Sequence, residues 1–162
     1  MPELRLMTKQ DIDECTKVYL KAFPKEGKLE EYFREWALKY FEEYIVDDRC
    51  FACVFEEADT IIGLITAIVI PSIGDDSTHI DTVAIDPDYQ HKGYGTQMLN
   101  EFIKFSGGRI FTLTTMRDSN GYKLYSKLGF EDEKGSACMI MIPGVTDELI
   151  RYRAKLEGEL SE

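Results

Sequence analysis

Between Thr78 and Phe105 a β-branched run, a tight turn and a glycine pair follow one another without a gap, and that succession limits what this chain can fold into. Thr78 to Ile85 reads as a strand with Ile80, Thr82 and Ala84 on one face and His79, Asp81, Val83 and Ile85 on the other. Both titratable groups, His79 and Asp81, therefore share a face. Asp86-Pro-Asp-Tyr-Gln90 has the composition of a turn, and a helix is expected from about Gly93 to Phe105, closed by Gly107-Gly108. A strand that feeds a helix through such a turn leaves the helix's first N–H groups unsatisfied at the positive end of its dipole, which suits a phosphate. The glycines of Gln90-His-Lys-Gly93-Tyr-Gly95-Thr96 let the backbone approach closely, and pyrophosphate is the natural guest. The pattern alone does not choose among cofactors, because the third glycine of the dinucleotide fingerprint is missing.

The rest of the chain surrounds this unit with alternating elements. Leu4 to Met7 reads as a short strand, and Thr8 to Asp11 as the capped start of a helix that runs from about Gln10 to Phe23. Pro24 to Gly27 breaks the chain. Leu29, Tyr32, Phe33, Trp36, Ala37, Tyr40, Phe41, Tyr44 and Ile45 then recur at helical spacing, an aromatic stripe that could line an acceptor pocket but is expected to be mostly core, with one or two rings exposed to substrate. Cys50 to Phe55 and Thr60 to Ile70 read as antiparallel strands joined through Glu56 to Asp59. Further on, Arg109 to Thr115 reads as a strand, Asn120 to Lys127 as a helix ending at Gly129, Cys138 to Ile142 as a last strand and Asp147 to Leu156 as a terminal helix. This order predicts an α/β (α+β) chain with a mixed, mainly antiparallel sheet rather than a doubly wound one.

Composition removes several classes. A chain of 162 residues, 44% hydrophobic and 30% charged, suits one globular domain spanning 1–162, with 145–162 as its C-terminal helix and tail. The longest uncharged apolar run, Ile61 to Ile70, is about half of the ~20 residues a membrane-crossing helix needs. No membrane partner is expected, and the start of the chain lacks the features of a secretory signal, which points to the cytoplasm. Four cysteines read as reduced thiols; Cys50 and Cys53, three apart in a strand, point to opposite faces and make a poor metal pair. No metal is assigned. A net charge of −11 disfavours nucleic acid and is compatible with a cationic substrate.

Val83-Ala-Ile-Asp-Pro-Asp-Tyr-Gln-His-Lys-Gly-Tyr-Gly95 resembles the central motif of the GNAT superfamily of acyl-CoA N-acyltransferases, Gln/Arg-x-x-Gly-x-Gly/Ala. A second GNAT-like block, Tyr122-Lys-Leu-Tyr-Ser-Lys-Leu-Gly-Phe130, follows after one strand, as it does in that family. The resemblance implies a twisted sheet of six to seven strands flanked by about four helices plus a C-terminal helix. It implies acetyl-CoA as co-substrate, with backbone groups of Val83, Ala84 and Ile85 along the pantetheine arm and Gln90, His91, Lys92, Gly93, Tyr94, Gly95 and Thr96 around the pyrophosphate. For His91 and Lys92 a solvated turn position is the alternative to direct contact. Tyr122 and Asn120 would complete the cofactor site, with Ser119 as the alternative to Asn120, because the family's asparagine position is occupied here by Asp118.

The same resemblance makes Tyr125 the general acid at the CoA sulfur. The base is left between His79, Asp81, a water and none, since some family members use a glutamate on this strand and this chain has none there. The expected function is transfer of an acetyl group to a primary amine of a small molecule or peptide by direct attack in a ternary complex; the alternative is a non-catalytic acyl-CoA-binding regulatory module. The resemblance also leaves a homodimer open.

Overall fold

The computed structural model describes residues 1–137 and 139. They fall in two units, Met1–Phe130 and Glu131–Glu162, and every element below belongs to the first. The expected last strand and terminal helix lie outside the described residues. In chain order the elements are β1 (Glu3–Leu6), α1 (Ile12–Ala22), α2 (Lys28–Val46), β2 (Cys50–Glu57), β3 (Thr60–Ile70), β4 (Ser77–Ile85), α3 (Tyr94–Ser106), β5 (Ile110–Leu113) and α4 (Asn120–Lys127). Short 3-10 turns, Lys9–Asp11 and Pro87–Tyr89, precede α1 and α3. No described helix is long and apolar enough to cross a membrane.

The sheet has five strands among the described residues, in sequence order, where six to seven are expected for the whole chain. All neighbours are antiparallel except β4 and β5, which run parallel. Alternation along β2 divides the core into two layers. Ala52 and Val54 face α1 and α2 and pack with Met7, Cys15, Phe41 and Ala84; Cys53 and Phe55 face α3 and pack with Ile65, Met98, Leu99 and Phe102. Burial pushes the Cys15 and Cys53 thiols up to about 12, so both behave as small apolar side chains.

Three ion pairs and caps fix how the chain enters and leaves these layers. Arg5 bonds Asp11 at 2.8 and 2.9 Å and Glu56 at 2.9 and 3.1 Å, tying β1 to β2 and to the start of α1. Asp11 also closes a reciprocal cap with Thr8, and its carboxyl is held down to about 2, chiefly by the Arg5 guanidinium. On the outer face, the hairpin from β2 to β3 turns through Ala58 and Asp59, both at positive φ.

One strand departs from the simple alternation expected of it. Thr66 pairs with Thr82 but Ala67 pairs with Ile80, so Asp81 is an extra residue on β4, a β-bulge. The bulge reverses the facing of everything before it. Ile80 joins Val83 and Ile85 in the layer beneath α3, whereas Thr82 and Ala84 face α1 and α2. His79 and Asp81 share a face, as expected, but that face is shared with Thr82 and Ala84 and not with Val83 and Ile85.

Candidate functional site

The sheet opens where β4 and β5 part. Their pairing covers only Ser77↔Ile110 to Ile80↔Leu113, and from Asp81 to Ile85 β4 has no partner on that side among the described residues. Which groups line that open edge follows from the ladder with β3. The Asp86 N–H donates to the Ile62 carbonyl at 2.8 Å, so by antiparallel alternation Ala84 and Thr82 are in bonded pairs with β3, and the backbone groups of Val83 and Ile85 point the other way. The Ile85 carbonyl is already taken by the Gln90 side-chain amide at 2.9 Å. Val83 N–H and C=O and Ile85 N–H remain, a short strand edge ready for a partner.

This edge runs directly into the turn before α3. Asp86 caps the turn by accepting the Asp88 N–H at 3.0 Å, and the buried carboxylate is bound by Lys21 from α1 at 2.8 Å. Burial pushes the Asp86 carboxyl up, but Lys21 and the Asp88 N–H outweigh it and hold it below its ordinary value. His91 and Gly93 take left-handed conformations, φ 60° and 85°, and turn the backbone so that α3 starts at Tyr94. The first backbone bond of α3 runs from the Gln97 N–H to the Gly93 carbonyl at 3.1 Å, which leaves the N–H groups of Tyr94, Gly95 and Thr96 unpaired within the helix. No acidic side chain occupies that first turn. Lys92 folds back, its ammonium 2.9 Å from the Asp88 carbonyl and 5.2 Å from the Tyr89 ring centre, while His91 and Thr96 are exposed. The Tyr94 hydroxyl is directed back to Glu57 at 3.4 Å, so its backbone, not its ring, faces the turn.

The next helix closes the other side. A Cβ on Gly95 would lie 3.2 Å from Leu124 and 3.9 Å from Ile85, so glycine lets α3, β4 and α4 converge. The Ser119 hydroxyl caps α4 by accepting the Tyr122 N–H at 3.1 Å, while Asn120 is exposed at the first helical position and Tyr122 is half-buried. Tyr125, also half-buried, packs with Phe130 at 5.8 Å between ring centres, and burial raises its phenol above the ordinary 10. It forms no hydrogen bond with His79 or Asp81 among the described residues.

Those two residues belong instead to a polar row on the α1–α2 face. His79 Nδ1 lies 2.8 Å from the Thr112 hydroxyl of β5, and Nε2 lies 3.7 Å from Asp81 Oδ1. The Tyr44 hydroxyl of α2 donates to Asp81 Oδ2. Burial pushes the Asp81 carboxyl up. Tyr40 completes the row, with its hydroxyl 2.7 Å from Thr66 and 3.4 Å from Thr82.

Residues 12–130 match the acetyltransferase (GNAT) family. This chain belongs to that family. An uncharacterized N-acetyltransferase of Methanocaldococcus jannaschii is 28% identical over 138 residues, 81% of this chain, and the chain spans 61% of that relative's length. A PaiA N-acetyltransferase of Thermoplasma acidophilum, solved with coenzyme A, superimposes with a TM-score of 0.70 at 20% identity, covering 84% of this chain and 93% of that one. A predicted acetyltransferase of Clostridium acetobutylicum, solved with acetyl-CoA, gives 0.67 at 18% identity, covering 86% and 96%.

The residues of this GNAT domain fit a CoA thioester. A pyrophosphate finds three adjacent unpaired N–H groups, no competing acid and a Gly93 with open space before it; a pantetheine amide finds the free edge at Val83. Sequence reasoning did not single out Lys21, Thr112 or Tyr44 for the site. Lys21 and Thr112 carry no local signal, being 65 and 33 positions from their partners Asp86 and His79. Tyr44 was visible only as one member of the aromatic stripe.

Proposed function

We propose that this GNAT domain transfers an acetyl group from acetyl-CoA to a primary amine by direct attack in a ternary complex. The observation that carries it is the continuity of the unpaired β4 edge with the unpaired N–H groups of α3, a strand edge and an anion site in one run of backbone. Gly93, Tyr94, Gly95 and Thr96 would hold the pyrophosphate by their backbone, with Gln90 bracing the turn through the Ile85 carbonyl and Asn120 and Tyr122 bordering the site from α4. Lys92 would contribute positive charge at its rim, with His91 beside it. Val83 and Ile85 would pair with the pantetheine arm as an added strand, along the backbone through Ala84.

Acetyl-CoA supplies an acyl group on a good leaving thiolate. The acceptor ammonium first gives one proton to His79 or Asp81, directly or through water; the neutral amine nitrogen then bonds to the thioester carbon, the carbon–sulfur bond breaks, the thiolate takes the Tyr125 proton, and the second nitrogen proton restores the phenol directly or through solvent. Burial keeps that phenol neutral and able to donate. Calorimetric titration with acetyl-CoA, CoA, ATP and NAD, followed by thiol release against an amine and peptide panel, tests the proposal. Selective CoA-thioester binding with acceptor-dependent CoA release is expected. Failure to bind either CoA species would overturn it.

A further inference from the structure

The polar row ends on a wall of aromatic rings. On α2, Tyr44 and Tyr40 have ring centres 4.4 Å apart, and Tyr40 and Trp36 stack at 4.7 Å with planes 21° apart. Trp36 continues to Tyr19 at 5.7 Å and Phe33 at 6.3 Å. Buried aromatic stripes are core, but Trp36 remains 39% exposed. From Tyr44 to Tyr40 the helix rises by about 6 Å, the reach of a two-carbon arylalkyl amine, and Trp36 stacks on Tyr40 one turn beyond. At the near end of that span stands Asp81, bonded by the Tyr44 hydroxyl, and its only ion-pair partner among the described residues is His79.

Three of the described cations of this region are engaged elsewhere. Arg34 pairs with Glu30 at 2.8 Å, Arg49 with Asp47 at 2.9 Å, and Lys25 lies over the Phe33 ring at 5.5 Å. Lys39 sits about 100° around α2 from Tyr40 and further from Tyr44. Burial pushes the Asp81 carboxyl up. An ammonium placed here gains a carboxylate and the faces of electron-rich rings. A carboxylate carried beside that ammonium would meet Asp81 with like charge and, among the described residues, no lysine or arginine bonded to this row.

We propose that the acceptor binds on this face of α2 and β4 as a primary ammonium with no carboxylate beside it, its aryl tail lying along the Tyr40 and Trp36 rings. This rests on the acetyl-transfer reading above. It predicts discrimination between an amine and the amino acid of the same side chain.

Trp36 is the chain's one tryptophan, so its emission reports this face without turnover. In the full chain saturated with CoA, phenethylamine is expected to change Trp36 emission with half-saturation at least ~10-fold below that of phenylalanine, a difference of about 1.4 kcal/mol. D81N, checked for an unchanged circular dichroism spectrum, should bring the two within about twofold. In the thiol-release assay W36L should raise KM for phenethylamine at least ~5-fold and leave KM for ethylamine within about twofold. Equal half-saturation for amine and amino acid, tighter binding of the amino acid, or no emission change with the amine would overturn the proposal. Calorimetry with acetyl-CoA on the same protein before CoA is added separates the two levels: failure to bind removes the transfer reading, whereas emission reports the α2 face.

Discussion

Gly63 of β3 lies where three elements meet, and adding one methyl group there tests whether the β4 edge is held as tightly as its role requires. An alanine Cβ at this position would stand 2.6 Å from Ile85 Cδ1, 2.9 Å from the Ala84 carbonyl oxygen and 3.2 Å from Met98 Sδ. The Ile85 methyl is the end of a side chain and can rotate away. The Ala84 carbonyl is backbone, and reaching ordinary contact at 3.4 Å moves it by about 0.5 Å. Ala84 pairs with Leu64 in the ladder, so that shift strains a sheet hydrogen bond as well as the layer beneath α3. Overpacking of this kind costs about 1–3 kcal/mol, and a weakened hydrogen bond adds up to ~1 kcal/mol. Gly63→Ala is therefore expected to lose about 2–3 kcal/mol and, for a domain of this size, roughly 4–12 °C in Tm. Calorimetric melting and urea titration with an unchanged m-value read it. Acetyl-CoA affinity should fall in the same variant at temperatures where it is folded, because the Ala84 peptide joins the Val83 and Ile85 groups that form the edge. Gly95→Ala is the contrast: its nearest neighbour is the flexible end of Leu124 at 3.2 Å, and alanine is favoured in a helix by up to ~1 kcal/mol. That variant should keep its Tm within about 3 °C and lose CoA affinity. A Gly63→Ala protein that melts with wild type would refute the argument, since it would mean β4 yields freely.

Three further outcomes follow from the same geometry. Ser119→Ala removes the hydroxyl that accepts the Tyr122 N–H and should cost about 1 kcal/mol, read by urea unfolding, with a lower kcat because α4 carries Tyr125. Tyr125→Phe should lower kcat by at least ~10²-fold with KM for acetyl-CoA little changed, while an unaltered kcat would remove the general-acid role. Asp11 sets an acid limit: its carboxyl titrates at about 2 when folded against an ordinary 3.8, so its stabilisation is complete above pH 4 and is lost as pH falls from there toward 2. Asp11→Asn should be less stable than wild type at pH 7 and converge on it near pH 2; parallel urea curves at the two pH values check this.

Local chemistry made some elements readable to the residue. α4 was expected from Asn120 to Lys127 and is found there, because a serine that caps and a glycine at φ 96° mark its two ends. α3 and α2 were legible from apolar periodicity and glycine punctuation, and the opposite facing of Cys50 and Cys53 from the period of a strand. The facing of β4 was not legible. Its residues alternate without fault in the sequence, and the bulge exists only in the register against β3, where Thr66 and Ala67 take partners two residues apart. The same limit hid the site's cross-links. Nothing near Asp86 announces Lys21, and nothing near His79 announces Thr112; both contacts come from helices and strands brought together by the sheet.

The bulge at Asp81 links the open β4 edge to the polar row. Without the extra residue, simple alternation would set Asp81 with Val83 and Ile85 under α3, in an apolar layer with Met98 and Phe102. A carboxylate there would be costly, and His79 would follow it onto the wrong face. With the residue inserted, His79 and Asp81 face Tyr44 and Tyr40 while Val83 and Ile85 keep their packing beneath α3. A bulge also increases strand twist, and the described pairing between β4 and β5 ends at Ile80, the residue before it. One inserted residue thus does two things: it begins the open edge that would take the pantetheine arm, and it turns the two titratable groups toward the aromatic wall where the acceptor would lie. Deleting Asp81 should therefore remove both properties together, lowering acetyl-CoA affinity and abolishing amine-induced Trp36 emission change in a chain that still folds. Retention of CoA binding in that deletion would show that edge and row are independent.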